Sequence, residues 1–237
     1  MNVLHYQVGS PQAAGFVYRH WLAFSIGILL CLMATGKALH HGHNAPPGTL
    51  KKLILDGEAG SRGYNSYNRG SMRCAKSNSA PLNLTNMSIG QIQYYQSLPS
   101  CSSQKLLAVG HYQIVPETLD IAVRTLKLPP STRFTPAVQD RIFAFYLAKE
   151  KQPAIDRWVR QGQGLYSASY AIAKEWAIFK APNGRGVYDG NGNNKARISS
   201  VKVTLALKKA REDYLHLIHK GWDKDTAYAT ALGVKKG

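Results

Sequence analysis

The sequence predicts a mainly α-helical protein with long loops. Several segments carry apolar residues at the i, i+3, i+4 spacing of an amphipathic helix. Proline and capping residues stand where such segments begin, and stretches rich in Gly, Asn and Ser separate them. The 237 residues suffice for one sizeable domain or two small ones, and a hydrophobic content of 44% permits a real core.

The first 55 residues contain no Asp or Glu, unlike an ordinary soluble surface. A basic segment at 1–20 precedes an uncharged apolar run at 21–36. Because a spanning helix needs about 17–25 residues, this run is short for one but suits a signal-peptide core. We predict a signal peptide or membrane anchor helix at 21–36, with a buried core helix as the alternative, and a linker at 37–48. Export to the periplasm or cell wall follows, and whether the run is cleaved or kept as an inner-membrane tether is open.

The first helix of the domain is predicted to begin near Thr49 and to end at Glu58. Leu50, Ile54 and Glu58 recur at i, i+4 and i+8, so they share the face that turns toward the protein. A carboxyl group on an apolar face is partly desolvated, and this raises its pKa toward the range useful for proton transfer. Glu58 is therefore the candidate catalytic acid, and a solvated helix end is the alternative.

Residues 60–105 are rich in Gly, Ser, Asn and Tyr and are predicted to form long loops, with one short helix at 88–98. Cys74 and Cys101 lie in this polar region. In an exported protein they could form a disulfide that closes a loop of about 26 residues, worth roughly 3 kcal/mol. Two unpaired thiols are the alternative.

The helices that follow are recognised by their starts and their apolar stripes. Pro116 begins one, and Thr135-Pro136 supplies an N-cap followed by proline at the first helical position. The predicted helices are 116–126, 136–149 (inward residues Val138, Ile142, Phe145 and Tyr146), 153–160, 167–179, 200–220 (stripe Val203, Leu207, Ala210, Tyr214, Leu217 and Ile218) and 226–232. The Gly/Asn-rich stretch 183–194 is predicted to be a loop.

Five short motifs occur in a recognisable order. Gly57-Glu58 ends the first helix; residues 109–114 read Val-Gly-His-Tyr-Gln-Ile; residues 134–140 read Phe-Thr-Pro-Ala-Val-Gln-Asp; residues 154–157 read Ala-Ile-Asp-Arg; and Trp176 follows. This order resembles the lambda-phage endolysin family of lytic transglycosylases, in the lysozyme-like superfamily, which has Gly-Arg-Tyr-Gln-Leu and Phe-Ser-Pro-x-x-Gln-Asp at the second and third motifs. The resemblance covers roughly residues 50–188.

The resemblance implies an α+β lysozyme-like fold at 49–199, in which a helical domain and a small loop/β lobe border a substrate cleft. Residues 200–237 would be a basic helical extension packed on that domain. The implied reaction is cleavage of the β-1,4 bond between N-acetylmuramic acid and N-acetylglucosamine in peptidoglycan, giving 1,6-anhydro ends. Glu58 would act as both acid and base, with no cofactor or metal. Tyr112, Gln113 and His111, which replaces the family's Arg, would line the cleft.

The loop after Glu58 supplies three further candidates for substrate binding, namely Tyr64, Asn68 and Arg69. Arg69 could contact carboxylates of the peptide stems, although turn residues and solvated charges are the alternatives. We expect Glu175 to be an exposed helical charge. Three more tyrosines are expected to pack in the core rather than to stack on sugar rings: Tyr166, Tyr170 and Tyr188.

A hydrolytic muramidase is the main alternative, since it needs a second carboxylate about 5–9.5 Å from the first. Glu117 is the best candidate, although a carboxylate at a helix start commonly just stabilises the helix dipole. A non-catalytic peptidoglycan-binding module of a secretion system is a further alternative.

The net charge of +17 suits an anionic partner such as the cell wall. Nucleic acid is not expected, because the chain has no zinc spacing and no helix-turn-helix pattern. We expect a monomer that binds peptidoglycan glycan strands and contacts a membrane through 21–36. Phage lysis, secreted antibacterial action and wall opening for a secretion or conjugation machine share this chemistry.

Overall fold

A computed structural model describes residues 49–70, 81–191 and 194–235 of the protein. The chain divides into two units, Met1–Pro46 and Pro47–Gly237, and all described residues belong to the second. The predictions for 1–20, 21–36 and 37–48 therefore lie outside the described residues. Within those residues, every helix is too short or too polar to cross a membrane.

The prediction of a mainly α-helical fold is confirmed. The α-helices of the described residues are α1 (Leu50–Ile54), α2 (Ile89–Ser97), α3 (Pro116–Thr125), α4 (Pro136–Ile142), α5 (Pro153–Gln161), α6 (Leu165–Glu175), α7 (Ser200–His219) and α8 (Lys224–Ala231). A small antiparallel sheet joins β1 (Tyr67–Asn68) to β2 (Ala108–Val109), with Tyr67 opposite Val109. This sheet is the only one among the described residues.

Local capping signals explain where the helices begin. The Ser88 hydroxyl accepts from the Gln91 N–H while the Gln91 side chain accepts from the Ser88 N–H, a reciprocal capping box. Thr135 caps α4 through the Val138 N–H. Proline occupies the first position of α3, α4 and α5, where a missing N–H costs nothing.

Two α-helices continue as π-helix, which the sequence pattern does not predict. α1 passes into a π-helical turn at Leu55–Ala59, and α4 passes into a π-helix at Phe143–Lys151. The wider π-helical turn rotates the side chains that follow away from an i, i+4 register. Phe145 is partly buried and packs against the core as predicted, and Phe143, which the pattern does not indicate, is fully buried as well.

Helix α6 is shorter than predicted and ends at Glu175. Trp176 leaves the helix in an extended conformation, and its indole Nε1–H donates to the Tyr112 carbonyl oxygen at 3.1 Å. Phe143 packs edge-on against the Trp176 ring. These tertiary contacts override the helical pattern that continues to Phe179.

Helices α7 and α8 share one hydrophobic core with the rest of the described chain. Four stripe residues of α7 are buried: Val203, Leu207, Ala210 and Tyr214. The Trp158 indole of α5 donates to the Leu207 carbonyl oxygen at 2.8 Å, and the Tyr228 hydroxyl of α8 donates to the Ala148 carbonyl oxygen at 2.9 Å. Residues 200–232 are thus an integral part of the core.

Candidate active site

Glu58 lies in the π-helical turn that follows α1, and a neighbouring glycine lets the chain pack closely there. A Cβ atom on Gly57 would lie 2.8 Å from the Ile178 Cγ2 atom and 3.1 Å from the Ile198 Cδ1 atom. Only glycine therefore allows this turn to lie directly against residues 178 and 198. The close packing sets Glu58 beside a chain segment that is far away in the sequence.

The Glu58 carboxyl group is half-buried and has one hydrogen-bond partner among the described residues. Its Oε1 atom accepts from the Ile178 backbone N–H at 3.3 Å. Burial raises the pKa of Glu58 above its ordinary value, and the Ile178 N–H and the positive charge of Arg197 oppose that rise only in part. Within the described residues, Oε2 accepts no hydrogen bond, so one carboxyl oxygen is left for a ligand.

The stretches 178–191 and 194–198 meet beside Glu58, and we call them its wall. The Ile178 carbonyl oxygen accepts from the N–H groups of Arg197 at 2.9 Å and Ile198 at 3.0 Å. Asp189 holds the intervening loop, because its carboxylate accepts from the Gly186 and Ala196 N–H groups at 2.9 and 2.8 Å. These backbone hydrogen bonds lower the pKa of Asp189.

The sequence did not point to Arg197, although the structure sets its charge near Glu58. Its guanidinium is the charged group that acts most strongly on the Glu58 pKa. No sequence motif marks Arg197. It is brought near Glu58 by backbone hydrogen bonding between residues 178 and 198, which are distant in the sequence. The isolated β-bridge between Phe179 and Ile198 is a part of that link.

Hydrogen bonds from the Gln139 side chain stabilise the Gly-His-Tyr-Gln turn at 110–113. The fully buried Gln139 side chain accepts from the His111 N–H at 2.9 Å and donates to the carbonyl oxygens of Tyr64 and Phe134 at 3.1 and 3.0 Å. Gly110 has a φ of +75°, and a Cβ there would collide with the Gln139 amide. Gly110 and Gln139 are therefore required together, which explains two of the sequence motifs as structural.

The buried carboxylate of Asp140, next to Gln139, binds side chains from three different elements. Asp140 Oδ1 accepts from the Tyr112 hydroxyl at 2.6 Å and from the Tyr64 hydroxyl at 2.8 Å, while Oδ2 pairs with the Lys51 ammonium at 2.8 Å. We call these four residues the Asp140 network. It ties α1, the loop after Glu58 and the 110–113 turn to α4.

Tyr112 and His111 lie beneath the surface instead of lining a cleft as predicted. Tyr112 is 1% exposed and stacks on Phe143 at 4.4 Å between ring centroids. Burial and the nearby Asp140 charge raise its pKa well above the usual range. His111 is 2% exposed, with Nε2 3.3 Å from the Lys51 carbonyl oxygen. Burial lowers the pKa of His111, which favours the neutral ring.

The remaining candidates for substrate binding hold their own loops. Gln113 is half-buried, adopts a φ of +49° and donates to the Gly110 carbonyl oxygen at 2.9 Å. The Arg69 guanidinium donates to the Ser103 carbonyl oxygen at 2.6 Å and lies over the Tyr67 ring. Asn68 is exposed, and its side chain accepts from the Gly70 N–H at 2.7 Å. Gln113 and Arg69 are thus engaged within the protein, and Asn68 forms a turn.

Among the predicted substrate-binding residues with aromatic rings, Tyr64 alone is partly exposed, and it also belongs to the Asp140 network. Its hydroxyl binds Asp140, and its ring lies 5.3 Å from the Lys51 ammonium nitrogen and 4.7 Å from the His111 ring centroid. Desolvation and the hydrogen bond to Asp140 raise the pKa of Tyr64, so its hydroxyl stays a donor.

The other carboxylates occupy different surroundings. Glu117 is exposed in the first turn of α3, where its charge complements the helix dipole. Glu175 is paired with the Lys151 ammonium at 2.7 Å and the Gln152 amide at 2.8 Å, with its side chain only 9% exposed. The prediction that Glu175 is an exposed charge is wrong, because the ion pair with Lys151 shields its side chain from solvent.

Two of the three tyrosines expected in the core are exposed. Tyr166 and Tyr170 project from α6 at 65% and 42% exposure, so that prediction is wrong for both. They lie one helical turn apart on the face opposite the buried side of α6. Tyr188 is half-buried, and its hydroxyl donates to the Lys174 carbonyl oxygen at 2.6 Å.

Cys101 is disulfide-bonded. Cys74, the predicted partner, lies outside the described residues. Within the described residues, no group of three or more His, Cys, Asp or Glu side chains is arranged to hold a metal ion. The chain matches no protein-family model, no curated protein and no solved structure at a significant level.

Proposed function

We propose that the protein is a peptidoglycan lytic transglycosylase of lysozyme-like fold, with Glu58 as its catalytic acid and base. One observation carries the proposal: Glu58 is half-buried, has a raised pKa, and keeps Oε2 open to a ligand among the described residues. A carboxyl with a raised pKa stays partly protonated closer to neutral pH, as a general acid must. The motif resemblance over residues 50–188 supports the same reaction.

The proposed reaction uses one carboxyl group in two steps. Protonated Glu58 gives its proton to the glycosidic oxygen while the bond from that oxygen to C1 of the muramoyl residue breaks. The Glu58 carboxylate then takes the proton of the muramoyl 6-hydroxyl as that oxygen bonds to C1. The products are a free 4-hydroxyl and a 1,6-anhydro ring, Glu58 is protonated again, and no water is consumed.

The surroundings of the other acids favour a single catalytic carboxylate. A hydrolase of this kind uses a second carboxylate within about 10 Å of the first to activate water or form an intermediate. Asp140 already accepts from Tyr64 and Tyr112 and pairs with Lys51. Glu117 is exposed in the first turn of α3, where its charge complements the helix dipole.

The exported location remains part of the proposal. The uncharged run at 21–36 would carry the catalytic domain to the wall, and the net charge of +17 would hold it near an anionic polymer. Lysis of a host cell at the end of a phage cycle is the role we favour, because a self-exported wall enzyme needs no separate secretion system.

Mass spectrometry of digested sacculi tests the reaction directly. The full-length protein should release muropeptides with 1,6-anhydro ends, and Glu58→Gln should release none while keeping its far-UV circular dichroism spectrum. Glu117→Gln is the matched control and should digest like the wild type. Hydrated reducing ends would show a hydrolase, and no release by the wild type would reject wall cleavage altogether.

A further inference from the structure

We infer that Arg197 forms an anion subsite beside Glu58 that receives a carboxylate of the peptide stems on the glycan strand. The inference rests on the proposed function, since it names the part of the substrate that this wall of the site would recognise. It makes strands with free stem carboxylates, and not strands whose stems are neutral, the preferred substrate.

The first argument is positional. The Ile178 backbone binds both residues: its N–H donates to the Glu58 carboxyl at 3.3 Å, and its carbonyl oxygen accepts from the Arg197 N–H at 2.9 Å. Gly57, next to Glu58, packs against Ile178 and Ile198, and this contact also holds the turn that carries Glu58 against the segment that carries Arg197. The backbone of Arg197 is thus held in register with the proposed acid.

The second argument is that the Arg197 side chain is free. It is exposed, and within the described residues its guanidinium makes no hydrogen bond or ion pair. Arg62 and Arg69, which also follow Glu58 in the loop region, both lie over the Tyr67 ring. Arg69, which the sequence suggests for a carboxylate, is engaged within the protein, whereas the Arg197 guanidinium is available to bind one.

The third argument is the charge of the surrounding wall. Lys180 and Lys195 lie close enough to Asp189 for their charges to help lower its pKa. Asp189 directs its carboxylate to backbone N–H groups, so it offers little competition for Arg197. The wall beside Glu58 therefore presents net positive charge to the substrate.

The ligand class follows from this chemistry. A guanidinium binds a carboxylate through two parallel hydrogen bonds, which gives both affinity and orientation. The N-acetylated sugars of the glycan backbone are uncharged, whereas the peptide stems attached to the muramoyl residues carry free carboxylates. A stem carboxylate on Arg197 would place the muramoyl residue that bears it next to Glu58.

Kinetics on two substrates tests the inference. Full-length wild type, Arg197→Gln and Arg197→Lys are compared on peptide-bearing strands and on the same strands with their stem carboxylates converted to neutral amides. We expect Arg197→Gln to lower kcat/KM at least about tenfold on peptide-bearing strands, mainly through KM, and less than about twofold on amidated strands. Arg197→Lys should recover part of the loss. Arg124→Gln, the same substitution at an exposed position of α3, is the control.

Binding separates this inference from the proposed reaction. In the Glu58→Gln background, Arg197→Gln should weaken binding to peptide-bearing strands about tenfold and leave binding to amidated strands unchanged. If the wild type cleaves nothing but this binding difference appears, the reaction is wrong and the subsite stands. Equal losses on both substrates, or no loss on either, would overturn the subsite.

Discussion

Replacing Asp140 with asparagine tests whether the Asp140 network fixes the helix that carries the candidate acid. The asparagine carbonyl can still accept from the Tyr64 and Tyr112 hydroxyls, but its amide cannot neutralise Lys51. The change therefore leaves one ammonium group facing a second donor at 2.8 Å. It isolates the ionic part of the network from its hydrogen bonds to tyrosine.

The expected cost can be worked from the exposure of the pair. Removing one partner of a buried ion pair costs about 3–5 kcal/mol, because the other charge stays buried without compensation. The Lys51 side chain is 17% exposed and that of Asp140 is 9% exposed, so the ammonium can reach some water. We therefore expect Asp140→Asn to lower the free energy of unfolding by about 3 kcal/mol.

A double-mutant cycle by urea denaturation, followed by circular dichroism at 25 °C, provides the measurement. Lys51→Met removes the stranded cation, so the double variant should be more stable than the sum of the single effects by about 1–3 kcal/mol. The exposed pair Lys52–Asp56 at 2.9 Å is the matched control, and its coupling should stay below about 1 kcal/mol. A loss under about 1 kcal/mol in Asp140→Asn, or additive effects in the cycle, would refute the reasoning.

Three further predictions concern the glycines and the candidate acid. Gly110→Ala should lower the free energy of unfolding, measured by urea denaturation, by at least about 2 kcal/mol, because φ is positive and the new Cβ would collide with the Gln139 amide. The control Gly184→Ala, with φ +81° and open space around it, should lower it by about 1 kcal/mol. Gly57→Ala should lower kcat several-fold with little change in KM, because Ile178, which binds Glu58, must shift; an unchanged kcat would show that the close packing does not position the acid. Below about pH 4.5, Glu58 is protonated in both the folded and the unfolded wild type, so Glu58→Gln should match the wild type in stability. As pH rises through the raised pKa, Glu58→Gln should become the more stable protein, because only the wild type then buries a charge. Melting curves across pH check this, and a variant less stable than the wild type at neutral pH would contradict it.

Local signals in the sequence predicted the helices well where a helix start is a local event. The box formed by Ser88 and Gln91, and the Thr135 cap followed by proline, each depend on residues within four positions. The π-helical continuations of α1 and α4 have no such signal, since the spacing of apolar residues reads equally well as α-helix. That is why the sequence does not indicate Phe143 as a core residue beside Phe145.

The candidate site divides in the same way. Glu58 is partly buried as predicted, but it lies on a π-helical turn and not on the continuous α-helix that its spacing from Leu50 and Ile54 assumes. The roles of His111 and Tyr112 were not predictable, since polar aromatic residues suggest a ligand site whenever their tertiary partners are unknown. Those partners, Gln139 and Asp140, stand together on α4 as two adjacent buried polar residues. Such a pair on an otherwise amphipathic helix is the signal that would have indicated a structural network.

The start of α1 is completed by a residue from the other end of the described chain. The Lys51 N–H, one of the donors that a helix start leaves unpaired, donates to the Leu232 carbonyl oxygen at 3.2 Å. Gly233, at φ +98°, packs so closely on Thr49 that a side chain there would collide with it. The start of the helix that leads to Glu58 therefore depends on the segment around residues 232 and 233. We expect a chain cut before Leu232 to lose the order of this helix and, with it, activity.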